Sequence, residues 1–335
     1  MKKVLVVGAG GFAGGFIVEE GLRRGYEVWA GVRATTSRQW LTDERIHFVE
    51  IDFTDSATIA GSLRAALPEG EKWDWIVFNL GATKVVRYSD FDSINYGCLN
   101  NFLNSLHATS KIPERLLYMS SLSAVGPRDE KNYNPISEET IPIPNTRYGS
   151  SKLKAELRLM SQSEIPYIIF RCTGIYGPRD HDYFLMFESI KKGFDFTVGY
   201  RPQMLSFLYV EDLARAVYEA LEKAPTGEVY NIAEPQTYTQ KEFRKLSAEA
   251  LGKRFVMPVA VPVWGLKAVT SVAGAWGMWR KKPSTLNSDK YHIMKQRNWR
   301  VDTSKAERDF GFRAEVDLRE GIRRSVEWYK KEGWL

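Results

Sequence analysis

Residues 4–14 have the sequence VLVVGAGGFAG, a short apolar run that leads directly into four closely spaced glycines. The apolar run predicts a buried strand, and the glycines predict a tight turn into a following helix. Glycines at every third position would let the backbone approach a pyrophosphate at the N-terminus of that helix. Part of the Gly-x-Gly-x-x-Gly pattern is also present, although such turns can serve packing alone. The position between a first strand and a first helix favours a dinucleotide site that includes Gly8, Gly10, Gly11, Phe12 and Gly14.

Outward from this turn, short apolar runs alternate with helical patterns as far as residue 170. The apolar runs cover residues 4–7, 28–32, 48–51, 75–80, 116–119 and 167–170. Short, nearly continuous apolar strands separated by helices predict a parallel sheet that is buried on both faces. We therefore expect an α/β protein with a Rossmann-type doubly wound parallel sheet and a smaller C-terminal substrate lobe.

The order of strands and helices becomes irregular after residue 173, which sets the expected domain division. We expect an NAD(P)-binding domain over residues 1–173, with a segment near 205–235 returning to it. Residues 174–204 and 236–335 would form the substrate-binding lobe. No linker is obvious, so the two parts are expected to pack together through chain crossings.

Length and charge are typical of an enzyme that acts on small molecules. The chain has 335 residues, and its net charge of +6 comes from 47 basic and 41 acidic residues that are scattered along it. Dense Lys/Arg runs of the kind found in nucleic-acid-binding tails are absent, so no nucleic-acid partner is expected. Cys98 and Cys172 have no metal-ligand neighbours at a suitable spacing, and the first residues lead into a strand instead of a signal peptide. We expect a reducing, cytoplasmic location and no metal.

The end of the second strand predicts which dinucleotide is bound. Where an NAD enzyme usually has an acidic residue for the ribose hydroxyls, this chain has Arg33, with Arg38 nearby. Arginine suits a 2′-phosphate, so NADP(H) is the expected cofactor, with NAD(H) as the alternative. Either arginine could instead be an ordinary surface charge. Asp52, after the third strand, could contact the adenine amino group or serve only as a helix cap.

Tyr148 and Lys152 form a Tyr-x-x-x-Lys set. Residues four apart share one face of a helix, so the ammonium can lie near the phenol, whose free pKa of about 10 needs help to exchange a proton near neutral pH. Tyr148 would donate its proton to a carbonyl oxygen as hydride arrives, while a strand-end hydroxyl holds that oxygen. Ser121 is the expected hydroxyl, with Ser120 and Ser123 as competitors. The alternative reading of the pair is an ordinary contact on a helix surface.

At this point the chain resembles the extended short-chain dehydrogenase/reductases, the NAD-dependent epimerase/dehydratase superfamily. The motifs that carry the resemblance are the glycine turn, Asp52, residues 79–82 (NLGA), Asn95, Ser120 and Ser121, Tyr148 with Lys152, residues 171–178 (RCTGIYGP), 207–212 (FLYVED) and 228–232 (EVYNI). The resemblance implies a homodimer and a catalytic role for Asn95 in supporting a proton-relay water. Taken alone, Asn95 could equally be a buried residue bonded to backbone. Further cofactor contacts expected on this basis are Phe53, Leu80, Gly81 and Ile175.

Two departures from the superfamily pattern indicate the substrate class. Sugar-nucleotide enzymes of the superfamily typically carry Asn and Arg as diphosphate ligands where this chain has Gly174 and Leu205. Loss of a guanidinium removes the group best shaped for phosphate. The motifs look closer to the 3β-hydroxysteroid dehydrogenase and dihydroflavonol reductase branch, whose substrates are hydrophobic.

These observations predict an NADPH-dependent ketoreductase acting on a lipid-chain (3-ketosphinganine-like), steroid-like or polyphenolic ketone. One alternative is a nucleotide-sugar epimerase, dehydratase or reductase in which Arg179, Arg201 or Lys191 replaces the missing ligands. Another is a dinucleotide-sensing protein without catalysis.

An apolar segment near the C-terminus is the last notable feature. Residues 259–279 contain one formal charge, Lys267, and lead into Arg280, Lys281 and Lys282. On a helix, Val269, Val272, Trp276 and Trp279 would gather on one face, opposite Lys267, Thr270, Ser271 and Gly274. Such a helix could lie in the membrane interface, which would give residues 259–282 a peripheral contact with the inner face of the membrane. The alternative is a lid or dimer-packing helix, and a spanning helix is disfavoured by Pro262 and the central lysine.

Overall fold

The structure, a computed structural model, describes residues 1–280 and 288–335, with the side chains of residues 274–278 outside that description. In chain order the strands are β1 (Lys3–Val7), β2 (Glu27–Val32), β3 (His47–Glu50), β4 (Trp75–Phe78), β5 (Arg115–Ser121), β6 (Tyr167–Cys172), β7 (Gly174–Tyr176), β8 (Phe194–Val198), β9 (Met204–Leu205), β10 (Phe207–Tyr209), β11 (Glu228–Ile232), β12 (Tyr238–Thr239) and β13 (Met257–Val261). The helices are α1 (Phe12–Arg23), α2 (Ser56–Ala66), α3 (Ser89–Phe91), α4 (Cys98–Ala108), α5 (Arg147–Met160), α6 (His181–Lys191), α7 (Val210–Lys223), α8 (Gln240–Ala250), α9 (Val263–Trp279), α10 (Ser288–Met294), α11 (Ser304–Phe310) and α12 (Leu318–Lys331).

The central sheet confirms the predicted fold class. Seven parallel strands lie in the order β11-β6-β5-β4-β1-β2-β3. Side chains of α1 and α7 share one buried cluster with the sheet, and those of α2, α4 and α5 share the other. Both faces are therefore covered, as the continuous apolar runs of the strands require. The protein is an α/β protein with a Rossmann-type sheet.

The turn between β1 and α1 shows why glycine is needed there. Gly8 has φ +81°, a left-handed conformation that favours glycine. A Cβ on Gly14 would lie 2.2 Å from the carbonyl oxygen of Gly8, so the helix packs directly against the turn. The helix N-terminus consequently faces the carboxyl ends of the central strands.

The chain leaves the large sheet after β6 and returns to it at β11. The edge strand β11 pairs with β6, with Ile232 opposite Cys172, and α7 packs against α1 on the same side of the sheet. Side chains from between these crossings and from the chain after β11, many of them aromatic, form a separate buried cluster. The division at residues 173 and 174 stays a proposal, but the two crossings explain why no linker interrupts the sequence.

The apolar segment that we placed on one helix from residue 259 is divided differently. Residues 257–261 form β13, which pairs in parallel with β8, and the helix begins only at Val263. Pro262 lies between the two elements and ends the strand, since proline cannot donate to a ladder. Trp276, Gly274, Lys281 and Lys282, which belong to the predicted interfacial segment, lie outside the described side chains or residues. Among the helices that the structure describes, none has the length and apolar character needed to cross a bilayer.

Candidate active site

The predicted reacting groups meet at the carboxyl ends of β4 and β5 and in the first turns of α5. The helix begins after Thr146, whose hydroxyl accepts a hydrogen bond from the Gly149 amide at 2.9 Å. The amide of Tyr148 donates to the Asp289 carboxylate of α10 at 2.9 Å. A side-chain cap and a partner from the C-terminal lobe thus fix the turn that carries Tyr148.

Tyr148 is half-buried, and its phenol contacts the hydroxyl of Ser121. Burial raises the pKa of Tyr148 to about 12, and the hydrogen bond with Ser121 opposes that shift. The phenol is therefore protonated at neutral pH, as a proton donor in carbonyl reduction must be.

The three candidate serines have different partners. Ser120 donates to the carboxylate of Glu156, which is fully buried and forms an ion pair with Arg171 at 2.7 Å. The Ser121 oxygen accepts from the Ser123 amide at 3.2 Å and also contacts Tyr148. Because strand side chains alternate between faces, Ser120 faces the buried ion pair while Ser121 faces the phenol.

Lys152 is 5% exposed, and its ammonium donates to the carbonyl of Met119 at 2.7 Å. The ammonium also lies 4.9 Å from the centre of the Tyr118 ring. Burial lowers the pKa of Lys152 to about 8, although Glu156 opposes the shift. The structure thus holds the ammonium at the end of β5. That this ammonium lowers the pKa of Tyr148 stays a prediction for the protein with its cofactor bound.

Asn95 is fully buried in a π-helix, Asp92–Gly97, that runs into α4. Its side-chain oxygen accepts from the Ala82 amide at 2.7 Å, and its nitrogen donates to the Ala82 carbonyl at 3.1 Å and to the Ser151 hydroxyl at 2.9 Å. The side chain therefore ties the loop after β4 to α5. These bonds match the reading of a buried residue bonded to backbone, and its role in a water relay stays a prediction.

Gly81 lies between these groups. A Cβ on this residue would stand 3.0 Å from the Lys152 ammonium and 3.1 Å from the side-chain oxygen of Asn95. Only glycine leaves both polar groups in place, so the loop after β4 can pass directly over the catalytic set. Leu80 precedes it, and its amide would lie 3.0 Å from a Cβ on Gly8.

The glycine turn fits the pyrophosphate of a dinucleotide. Helix α1 has Gly11 as its N-cap without a side-chain bond, and its first turn, which starts at Phe12, contains no acidic residue. Such an end leaves amide donors and a positive dipole available to an anion. Gly10 has a further role, because its Cβ would lie 2.1 Å from a methyl group of Thr36. The loop after β2 thus packs on this glycine.

The residues expected near the adenosine have different surroundings. Arg33 is exposed, and both it and Asp52 influence the thiol of Cys98, whose pKa burial raises to about 11. Arg38 instead lies over the Phe48 ring at 4.4 Å and pairs with Glu50 at 3.1 Å. The structure therefore leaves the Arg33 side chain exposed near Cys98 and binds Arg38 to β3.

Asp52 and Phe53 have local partners. The Asp52 carboxylate accepts from the Thr54 amide at 3.0 Å, and Phe53 is buried against Phe78 and Phe102. The bond of Asp52 closes a local turn, because the N-cap of α2 is Asp55 and not Asp52, and Phe53 belongs to the core. Their predicted contacts with the cofactor remain predictions.

Sequence reasoning missed Tyr183 of α6. A Cβ on Gly174 would lie 2.1 Å from its hydroxyl oxygen, so the phenol fills the space beside β7, next to Ile175. Its ring packs near Tyr176 and Phe207. No sequence motif marks an aromatic residue at the start of a helix. The signal in the sequence was Gly174, a residue without a side chain at the position where the phenol packs.

The three cations that could replace the missing diphosphate ligands differ in their surroundings. The guanidinium of Arg179 lies between the rings of Phe16 and Trp40, at 4.5 and 4.7 Å, and pairs with Glu19 at 2.8 Å. It holds the loop after β2 against α1. Arg201 and Lys191 are exposed.

Lys84 was also missed, and it forms an ion pair with Asp182 across the cleft. The bond joins the loop after β4 to the first turn of α6. It therefore connects the part of the chain that carries Gly81 with the part that carries Tyr183.

A cavity of about 480 Å³ lies beside the start of α5. Its lining includes Arg128, Asn145, Val263, Lys295 and Arg297. It therefore lies between the loop after β5 and the C-terminal lobe, and its wall carries both signs of charge, because Asp129 and Glu130 also line it.

Comparison with known proteins agrees with this geometry. The model of the NAD dependent epimerase/dehydratase family matches residues 4–233. Sterol-4-alpha-carboxylate 3-dehydrogenase, decarboxylating, of Dictyostelium discoideum is 23% identical over 339 residues, covering 96% of this chain and 99% of its own. Human dTDP-D-glucose 4,6-dehydratase is 25% identical over 301 residues, covering 85% of this chain and 75% of its own.

A solved structure shows the same fold. dTDP-glucose 4,6-dehydratase from Bacillus anthracis, in complex with NAD, superposes with a TM-score of 0.78 at 20% identity. The superposition covers 100% of this chain and 98% of that one.

Proposed function

This chain belongs to the NAD-dependent epimerase/dehydratase family, and from that premise we propose that it is an NADPH-dependent ketoreductase of a hydrophobic ketone. It is an enzyme of the oxidoreductase type that this family comprises, and a nicotinamide dinucleotide is its cofactor. Preference for NADPH is the finer proposal, and exposed Arg33 supports it.

The dinucleotide, when bound, supplies the hydride for the carbonyl carbon. The residues of the chain then control the proton and the oxygen. Tyr148, protonated at neutral pH, donates its phenolic proton to the carbonyl oxygen, and the Ser121 hydroxyl orients that oxygen through a hydrogen bond. The Lys152 ammonium stabilises negative charge that develops on the phenol. Asn95 and Gly81 position the loop that covers these groups.

The observation that best supports a hydrophobic substrate is that the space beside Gly174 is filled. The Tyr183 phenol occupies it, and Leu205 offers no charge at the second position where related sugar-nucleotide enzymes have a diphosphate ligand. A diphosphate buried there would have no cationic partner from either position, which costs several kcal/mol. A ketone needs only the phenol and hydroxyl that the site provides. Substrates of the lipid-chain (3-ketosphinganine-like), steroid-like or polyphenolic class fit this requirement.

The filled space can be tested apart from catalysis. Gly174→Ala should destabilise the protein by about 1–3 kcal/mol, because its Cβ meets the Tyr183 oxygen. In a Tyr183→Phe background the nearest ring carbon stands at 3.3 Å, so most of that cost should disappear. Urea unfolding of the two single variants and the double variant measures this coupling, and an equal cost in both backgrounds would contradict it.

The function itself is tested by turnover. We expect steady oxidation of NADPH when the purified protein meets 3-ketosphinganine or another long-chain ketone, and much slower turnover with NADH. UDP-, GDP- and dTDP-sugars serve as the competing substrates. Protein that is inert toward every hydrophobic ketone but converts a nucleotide sugar would overturn the proposal.

One observation favours a nucleotide-sugar epimerase, dehydratase or reductase as the second candidate. The cavity beside α5 is lined by Arg128, Lys295 and Arg297, which could hold an anion, although Asp129 and Glu130 also line it. However, the guanidinium groups of Arg128 and Arg297 already donate to backbone carbonyls. An epimerase would interconvert sugars without net use of NADPH, which sugar analysis by NMR would show.

Two further parts of the proposal concern assembly and location. We propose a homodimer, which light scattering would test, and a peripheral contact of residues 259–282 with the inner face of the membrane. A dinucleotide sensor without catalysis is the remaining alternative. It predicts that Tyr148→Phe leaves the biological function unchanged.

A further inference from the structure

Exposed hydrophobic side chains are concentrated in one part of the C-terminal lobe. Of the fifteen large hydrophobic residues that are exposed in the described chain, nine lie between residues 194 and 279. We use the term apolar surface for six of them, which belong to the β8–β13 ribbon and to α9: Phe194, Phe196, Met257, Trp264, Val272 and Trp279. An exposed patch of this kind marks an interaction site.

The ribbon leads directly into the helix. In the parallel register Met257 lies beside Phe194, and the rings of Phe194 and Phe196 are stacked 6.4 Å apart. At the end of the ribbon the Gly199 amide donates to the Val261 carbonyl at 2.9 Å. Helix α9 starts two residues later, so Trp264 emerges where the ribbon ends.

Helix α9 has its apolar side outward. Trp264, Val272 and Trp279 are 77%, 71% and 74% exposed, and their spacing places them on one side of a helix. The opposite side packs inward with Leu266 and Thr270. The Thr270 hydroxyl donates a hydrogen bond to the Leu266 carbonyl at 2.9 Å. A helix that only packs on its own protein shows the reverse arrangement.

The charges in the segment that carries four of these six residues have one sign. Residues 250–288 contain six basic residues and no acidic residue. Within the described part, Lys253, Arg254 and Lys267 are exposed. The carboxylate of Asp195 in β8 is buried and paired with Arg244 at 3.1 Å, so it does not offset them. The surface is complementary to an apolar layer that has anionic groups at its edge.

We propose that the apolar surface docks onto an anionic phospholipid bilayer, with Phe196 and Trp264 in the headgroup region and the cations on lipid phosphates. A second copy of the chain fits less well, because a two-fold interface would place these like charges against each other. The surface adjoins the cavity beside α5, since Val263 at the start of α9 lines that cavity together with Asn145, which lies three residues before Tyr148. In this respect the inference rests on the proposed function, because a membrane-dissolved ketone would enter there.

Vesicle flotation tests the docking without any substrate. We expect the intact protein to float with phosphatidylcholine vesicles that contain phosphatidylglycerol, to bind vesicles of phosphatidylcholine alone weakly, and to be released by salt. Lys253→Gln with Arg254→Gln should lower the partition coefficient about 25-fold, from roughly fivefold for each cation removed. Phe196→Ser with Trp264→Ser should lower it at least about tenfold. Leu157→Ser, at an exposed leucine of α5, is the matched control and should bind normally.

Two outcomes would overturn the docking. One is an unchanged partition coefficient in both double variants, or no flotation of the intact protein. The other is conversion of a dimer to a monomer by Trp264→Ser in light scattering, which would identify a second copy as the occupant. Because no ketone is present, absence of reductase activity would refute the proposed function alone and leave the docking result intact.

Discussion

The catalytic edge of the sheet and the apolar surface of the C-terminal lobe violate the usual rules of burial in opposite directions. At the sheet edge, polar side chains are buried: Asn95 and Glu156 are fully buried, and Lys152 is 5% exposed. At the apolar surface, tryptophan side chains are about three-quarters exposed. Both arrangements cost free energy in an isolated protein.

The difference lies in where the compensation comes from. The buried polar groups are satisfied internally, as the Glu156–Arg171 pair and the bonds of Asn95 to Ala82 show. The exposed tryptophans keep most of their apolar surface in contact with water, and on our proposal lipid covers it. The comparison teaches that a site for chemistry is completed within the chain, whereas a site for association is completed by its partner.

The largest expected effect concerns the phenol at the sheet edge. Tyr148→Phe removes the proton donor, so kcat should fall about 10²–10⁴-fold while cofactor affinity stays nearly unchanged. The control is Tyr200→Phe, since Tyr200 is exposed in the C-terminal lobe. Comparable losses in both variants would end the distinction between the two regions.

The second effect concerns the buried ion pair between Glu156 and Arg171 at the sheet edge. Glu156→Gln leaves the buried Arg171 guanidinium unpaired and should lower the free energy of unfolding by about 3–5 kcal/mol. Urea denaturation measures it. Glu327→Gln breaks an exposed pair with Arg323 in α12 and should change the midpoint little. A small effect at Glu156 would mean that the pair is dispensable.

The third effect is the pH dependence that burial of Lys152 creates. Its pKa is about 8 in the folded protein and 10.5 when exposed, so the unfolded chain binds more protons between these values. Stability should therefore rise with pH through this window, and the contribution of Lys152 between about pH 7 and about pH 9.5 is roughly 2 kcal/mol.

Comparison with a substituted protein isolates that contribution. Lys152→Met should lack the rise, whereas Lys331→Met, at an exposed lysine of α12, should keep it. The measurement is the free energy of unfolding of the three proteins at the two pH values. Parallel pH profiles for all three proteins would contradict a pKa of Lys152 lowered by burial.

The smallest expected effect concerns the apolar surface. Val272 is 71% exposed, so Val272→Ser should change the free energy of unfolding by less than about 0.5 kcal/mol. The equivalent change at Val217, which is fully buried in α7, should be strongly destabilising. A large loss of stability in Val272→Ser would show that the surface is covered within the protein.

The sequence predicted the parallel sheet well because its strands are continuous apolar runs and its first turn needs glycine. It also predicted that Ser121 and Tyr148 would meet, since strand ends and helix starts gather at one edge of such a sheet. It could not show that the Lys152 ammonium is held by the Met119 carbonyl, because backbone acceptors leave no mark in the sequence.

The C-terminal lobe was harder to predict, for physical reasons. Residues 259–261 were assigned to a helix, but they belong to β13, which pairs with a strand about sixty residues earlier in the chain, and apolar runs of this length do not distinguish the two states. The phenol of Tyr183 reaches Gly174 through tertiary packing of α6. The contrast between Arg33 and Arg38 likewise depends on Glu50, a partner on another strand.

The bond between the Tyr148 amide and Asp289 has a consequence for synthesis of the protein. Every side chain predicted to act in the reaction has left the ribosome long before residue 289 is translated. Until α10 has been translated, the amide of Tyr148 lacks its hydrogen-bond partner, the Asp289 carboxylate. A nascent or truncated chain that lacks α10 would carry all the reacting groups in an unfinished arrangement, and activity should mature only after α10 has been translated.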